Sequence, residues 1–224
     1  YMADLMLFLL DRAAGKGYNS TVCGGAFHLR QGSQISVRLF DIRKREMHMS
    51  KIVLVAETGA DLTPELVKRY GIYIVPMHVT MGDVTKDDGA FPTEEICAFY
   101  DRTGQLPKTS GSSPEDFARV FEEIHRVYPD KHILHLAYSA VTTVSYQNAK
   151  IAAEHMDFVT SVDTKHVSAG QTAVVVAMAQ YLEEHPDTTP EEAVEVVHRL
   201  REKVHMCFVP DDLEYLRAGG RVSN

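Results

Sequence analysis

Two short stretches concentrate the hydroxyls of this chain, LPKTSGSSPEDF at residues 106–117 and YSAVTTVSYQNAK at 138–150. A hydroxyl can cap a helix, attack as a nucleophile beside a base, or hold an anion as a neutral donor. In the first stretch Ser113 precedes Pro114 and stands three residues before Asp116. That is the pattern of an N-cap, a first-turn proline and a carboxylate at the positive end of the helix dipole. Thr109 and Ser110 have no such structural duty. In the second stretch Thr143 or Ser145 can cap the following helix, which leaves Ser139 among the surplus. The surplus reads as two donor sets facing one crevice, suited to a carboxylate or phosphate held without a strong counter-ion. The same residues also fit ordinary loops between strand and helix.

Stricter chemical motifs are missing. Lys108 and Thr109 sit like the end of a phosphate-binding P-loop, but Pro107 replaces the glycine before the lysine and removes a backbone donor, and Arg102 replaces the first glycine. Neither GxGxxG, G-x-S-x-G nor H-E-x-x-H occurs, so dinucleotide, α/β-hydrolase and zinc-protease readings have no motif. Among the histidines, His132 and His135 bracket a strand, His185 precedes a proline and His166 lies in a turn, where core-edge or solvated roles fit better than ligand roles. His166 keeps the best claim, because VDTKHVSAG crowds Asp163, Thr164, Lys165 and Ser168 between a strand end and a helix. With Lys165 or His166 as base, a serine or threonine nucleophile would make the chain an acyl- or phosphoryl-transfer enzyme, the alternative to a binding protein. No metal set is predicted. Cys23, Cys97 and Cys207 are odd in number and far apart, which fits neither a disulfide scaffold nor paired zinc ligands and predicts a reducing cytoplasm.

Positioning these loops falls to a core that 224 residues, 45% of them apolar, can build. The formal charge of −8 argues against a nucleic-acid groove or an anionic membrane surface as the main partner. The run Met6–Leu10 is too short to span a membrane, and its acidic flanks lack the basic start of a secretory signal. Composition changes near Met49: residues 1–48 carry +3 and the remainder −11. From there strands are predicted at 51–56, 72–79, 132–138, 158–162 and near 205–209, and helices at 64–70, 93–101, 114–127, 145–155, 170–184 and 190–203. Thr63, Pro64 and Glu65 open the first of these helices and Gly71 ends it, and Thr189, Pro190 and Glu191 repeat the opening. The alternation predicts an α/β fold with a mostly parallel sheet flanked by helices. Its ligand crevice would form from loops 57–62, 138–145 and 163–170 at the strands' carboxyl ends. Residues 1–48 allow a helix at 2–14 and a strand around Ile35, Val37 and Leu39 but carry no chemistry. They stay unassigned, as a remnant, a fusion or an upstream translation ahead of the start-like MSK at Met49.

In DDLEYLRAGGRVSN, Asp211 or Asp212 can cap a short helix, Arg217 adds a cation to its last turn, and Gly219 with Gly220 frees the backbone after it. Taken together, LPKTSGSSP, GIYIVPMHV, the loop ending in SYQNA, VDTKHVSAG and above all LEYLRAGGRVS resemble, in order and spacing, the DegV family of bacterial fatty-acid-binding proteins. The resemblance covers Met49 to Asn224. It implies that residues 49–224 are the N-terminal lobe of a two-lobed DegV-like protein whose C-terminal lobe is absent here. It also implies a lipid-binding carrier rather than an enzyme, with a long-chain fatty acid in a tunnel between the lobes and no other cofactor. The carboxylate would be held by hydroxyls and presented to a separate fatty acid kinase for phosphorylation, a step in phospholipid precursor supply. By the same resemblance Thr109 and Ser110 hold the carboxylate, Ser139 or Ala140 gives a second donor, and Arg217 lies nearby. Two departures stand out. Ala56, Glu57, Thr58 and Gly59 replace the family's Thr-Asp-Ser-Thr, and Ser139, Ala140 and Val141 replace Ser-Ser-Gly, leaving Ala140 to donate through its backbone N–H. A third reading follows, a degenerate interaction module whose crevice Ala140 and Val141 block.

Overall fold

Every residue of β1 (Ile52–Glu57) is buried, because helices cover both faces of the sheet that it centres. The computed structural model describes residues 50–209 together with Leu213, Leu216, Arg217 and Val222. The expectations for residues 1–48, Asp211, Asp212, Gly219 and Gly220 lie outside the described residues. β1 pairs in parallel with β2 (Tyr73–Val75) on one side and β6 (His132–Ala137) on the other, and β6 pairs in parallel with β7 (Val159–Asp163). The order β2-β1-β6-β7 puts a topological switch point between β1 and β6, since the chain leaves these neighbours toward opposite edges.

On one face Leu54, Leu134 and Leu136 pack with Val174 and Met178 of α5 (Ser168–Glu184) and Val197 of α6 (Pro190–Arg201). On the other, Val53, Val55 and Ile133 pack with Phe117, Phe121 and Ile124 of α3 (Pro114–Val127). Phe117 and Phe121 are wholly buried, and truncating either to alanine costs about 3–5 kcal/mol. Local signals close the helices as the sequence implies. In α1 (Pro64–Tyr70), Thr63 Oγ1 accepts from Leu66 N at 3.3 Å, and Gly71 ends the helix at φ 59°. Thr189 and Glu192 form a reciprocal capping box on α6.

The predicted strand 72–79 divides at Pro76. Proline has no N–H to give a ladder, and the Met77 N–H donates instead to Thr58 Oγ1 at 3.0 Å. β3 (His78–Met81) therefore leaves the parallel sheet and joins a second, antiparallel one with β4 (Val84–Asp87) and β5 (Lys108–Ser110), in the order β4-β3-β5. Val79 and Met81 of this sheet bury against Ile96 and Phe99 of α2 (Glu94–Thr103). The strand expected near 205–209 does not form. Those residues hold no regular structure, and Cys207, Phe208 and Val209 are exposed.

Candidate functional site

The carboxyl ends of β1, β6 and β7 open onto three loops, and the chain between β5 and α3 closes against one of them. Ser113 caps α3: its Oγ accepts from Asp116 N at 3.2 Å, while Asp116 Oδ2 accepts from Ser113 N at 2.9 Å. Ahead of the cap, Ser112 N donates to Ser145 Oγ at 3.1 Å, and Asn148 Nδ2 donates to Ser112 O at 2.9 Å. These bonds tie the β5–α3 loop to the start of α4 (Ser145–Ala152). Gly111 permits the approach, since a Cβ there would stand 2.3 Å from Thr143 Oγ1 and 2.4 Å from Ser145 Oγ.

Half of the serine and threonine hydroxyls of the two stretches are engaged, with Ser113 capping α3. Ser145 serves the Ser112 N–H, Thr143 Oγ1 lies 3.4 Å from the Ser145 N–H, and Thr142 Oγ1 donates to Ser139 O at 2.8 Å. The side chains of Thr109, Ser110, Ser112 and Ser139 make no hydrogen bond among the described residues, and that of Ser112, which the sequence did not single out, is fully buried. Ser139 is buried, and its backbone N–H donates to His166 O at 3.0 Å. Ala140 is exposed, and the N–H that the sequence offered to a ligand donates to Asp163 Oδ1 at 3.2 Å. Exposed Val141 does not fill the loop's interior.

Thr109 and Ser110 lie on a strand, not in a helix-opening loop, and this changes how they can act. Thr109 pairs with Val79 and Ser110 with His78, so the two hydroxyls stand on opposite faces of the small sheet. Arg217 is exposed on a helical turn, its N–H donating to Leu213 O at 2.9 Å. The bases imagined for an enzyme are committed elsewhere. Lys165 Nζ pairs with Glu202 Oε1 at 3.1 Å, and His166 Nε2 lies 2.9 Å from Arg201 O. Among the described residues no group of three or more His, Cys, Asp or Glu could hold a metal ion, and no helix is long and apolar enough to cross a membrane.

Beneath the crevice is a feature that the hydroxyl pattern does not show. Glu57, the last residue of β1, is 0% exposed. Its carboxylate accepts from Tyr138 N at 3.0 and 3.2 Å and from Gln171 Nε2 at 3.0 Å. His135 Nε2 is 3.2 Å from Glu57 Oε1, within ion-pair range but off the line of a hydrogen bond. The signal was present in IVLVAE, where a carboxylate ends a continuous apolar run and so must be buried with partners. Above it, Gly59 leaves room for the Tyr138 ring and the Met77 sulfur, each 2.9 Å from where a Cβ would sit. Burial, aided by Asp61 and Glu57, pushes the Tyr138 phenol up to about 12, so it stays a neutral O–H at physiological pH.

The sequence model of the DegV family matches residues 51–224 of this chain. The chain belongs to the DegV family. A DegV domain-containing protein of Caldanaerobacter subterraneus is 29% identical over 177 residues, which is 78% of this chain and 62% of the relative. Among solved structures, a fatty-acid-binding DegV protein from Thermus thermophilus shares 32% identity at a TM-score of 0.64, over 76% of this chain and 60% of that one. A Thermotoga maritima protein with fatty acid binding function shares 27% identity at a TM-score of 0.58, over 67% and 55%. The chain thus spans about three fifths of the length of these DegV relatives.

Proposed function

We propose that this chain forms one wall of a fatty-acid site and that it binds the acid without transforming it. The observation that carries this reading is the sorting of hydroxyls: those of Thr109, Ser110, Ser112 and Ser139 are unspent, while those of Ser113, Thr142, Thr143 and Ser145 hold the loops together. Two relatives that bind fatty acid, the Thermus protein among them, support the ligand class. In this reading the carboxylate accepts from Ser139 and from whichever of Thr109 and Ser110 faces the crevice. Arg217 stands by as the nearby cation, and Ala140 is the small residue at the tip of the turn. Burying a carboxylate without donors costs several kcal/mol, and each charge-assisted hydrogen bond returns about 1.5–3 kcal/mol. The part of the relatives with no counterpart here is assigned the far wall of the tunnel, and residues 49–224 the first lobe. The bound acid is then presented to a fatty acid kinase that phosphorylates its carboxylate.

Lipid extraction of full-length protein from cells tests the reading. It should yield a long-chain fatty acid in near-equimolar amount, and Thr109→Val with Ser110→Ala should empty the site. Protein that stays lipid-free under gentle purification would overturn the reading. Addition of a fatty acid kinase and ATP should convert the bound acid to an acyl phosphate, and an unchanged acid would remove the delivery step alone.

A further inference from the structure

We infer that Glu57 is a positioning residue for the lipid head group, acting through the Tyr138 N–H rather than by touching the ligand; this rests on the fatty-acid reading above. Glu57 and Tyr138 face each other across the switch point, one ending β1 and the other following β6, so a bond between them fixes how the crevice opens. Tyr138 is followed at once by Ser139, whose hydroxyl is among those left unspent. The turn at Ser139 is otherwise held by Ser139 N to His166 O at 3.0 Å, by Thr142 N to Ser139 O at 3.0 Å, and by Ala140 N to Asp163 Oδ1 at 3.2 Å. All of these lie on the β7 side of the turn or within it. Among the described residues, the hydrogen bonds that tie the turn to β1 are those of the Glu57 carboxylate, and β1 leads into the Thr58–Ala60 turn across the crevice.

The carboxylate is itself built in. Gln171 Nε2 reaches it from α5 at 3.0 Å while also donating to Leu136 O at 2.8 Å. His135 Nε2 stands 3.2 Å from Oε1, and His135 Nδ1 lies 3.1 Å from Ser161 Oγ. The geometry makes one replacement milder than another. A glutamine at 57 can place its amide oxygen where Oε2 stands and keep both the Tyr138 and Gln171 donors. Its NH2 group then takes the place of Oε1, 3.2 Å from His135 Nε2 and off the line of a hydrogen bond with it. An alanine removes every acceptor and frees the turn.

Full-length protein, delipidated and titrated calorimetrically with oleate, separates the cases. Glu57→Ala should bind about tenfold more weakly, the loss of one charge-assisted hydrogen bond, and Glu57→Gln should bind within about threefold of wild type. Alanine binding like wild type, or glutamine failing as alanine does, would overturn the inference while leaving the fatty-acid reading intact. Wild-type protein that takes no oleate sinks that reading, and this inference with it. Should Glu57→Ala not fold, Glu57→Asp replaces it. That variant keeps the charge but withdraws the acceptor by one methylene, so it should weaken oleate in the same way, and wild-type affinity would overturn the inference.

Discussion

His78 Nε2 stands 2.7 Å from Asp116 Oδ2, which fastens the small antiparallel sheet to the N-terminus of α3. The other ring nitrogen, Nδ1, is 3.1 Å from Asp87 Oδ1 on β4, and Arg119 Nη2 reaches Asp116 Oδ1 at 3.3 Å. Only an imidazole protonated on both nitrogens donates to both carboxylates. Burial by itself would raise the Asp116 carboxyl, but the Ser113 backbone and hydroxyl bonds and the contact with His78 outweigh it and hold it at about 2. The folded value lies below the unfolded one, about 3.9. The stabilisation is therefore complete above about pH 4 and is lost as pH falls through about 2. Asp116→Asn should cost about 1 kcal/mol at pH 7, discounted for the partial exposure of the site. Urea melts should show that gap shrinking toward zero near pH 2, and a gap independent of pH would refute this account.

Gly111 marks the closest approach between the β5–α3 loop and α4. Its Cβ-free backbone leaves Thr143 Oγ1 and Ser145 Oγ where a methyl group would stand. Gly111→Ala should destabilise the fold by about 1–3 kcal/mol through overpacking. The Ser112 N–H should at the same time lose its hydrogen-exchange protection as the loop lifts from Ser145. Unchanged protection would show that the hydroxyls move aside cheaply.

Features set by neighbours in the chain were legible before the fold was seen. The Ser113 and Thr189 helix openings, the Thr63 cap and the glycine stop at Gly71 each lie within one helical turn, so residue types alone specify them, although the acid that completes the Thr189 box is Glu192. The parallel sheet followed from continuous apolar runs such as IVLVAE. The small sheet did not, because β5 is three residues long and reads as a polar loop, and nothing local announces that Thr109 pairs with Val79. The strand expected at 205–209 failed for the converse reason: an apolar run needs a sheet edge to pair with, and Phe208 and Val209 find none and are exposed. At the site, Thr109, Ser110 and Ser139 could be named from sequence but the buried Ser112 hydroxyl was not, and the faces that Thr109 and Ser110 occupy depend on that cross-strand register.

The register has a consequence for lipid binding. Since β5 turns Thr109 and Ser110 to opposite faces, the single variants Thr109→Val and Ser110→Ala should act unequally. One should carry nearly the whole loss, about tenfold or more in oleate affinity, and the other should stay within about twofold. Equal losses, measured by titration of delipidated full-length protein, would mean that both hydroxyls reach the carboxylate and that β5 rearranges on binding.

The buried pair Glu57–His135 separates stability from positioning. Both side chains are 0% exposed, and the imidazole packs against Phe117 with ring centroids 4.9 Å apart. His135→Phe preserves that apolar contact but leaves the buried carboxylate without its basic neighbour, which should destabilise the fold. Adding Glu57→Leu removes the stranded carboxylate and should restore part of the loss, the remainder being the Tyr138 N–H left without an acceptor, about 1–3 kcal/mol. A double-mutant cycle by urea denaturation should therefore show a coupling of at least about 1 kcal/mol, whereas additive costs would mean that the two groups do not sense each other. If Glu57 also sets the Ser139 turn, the double variant should regain stability without regaining oleate. Recovery of both together would place the role of Glu57 in the core alone.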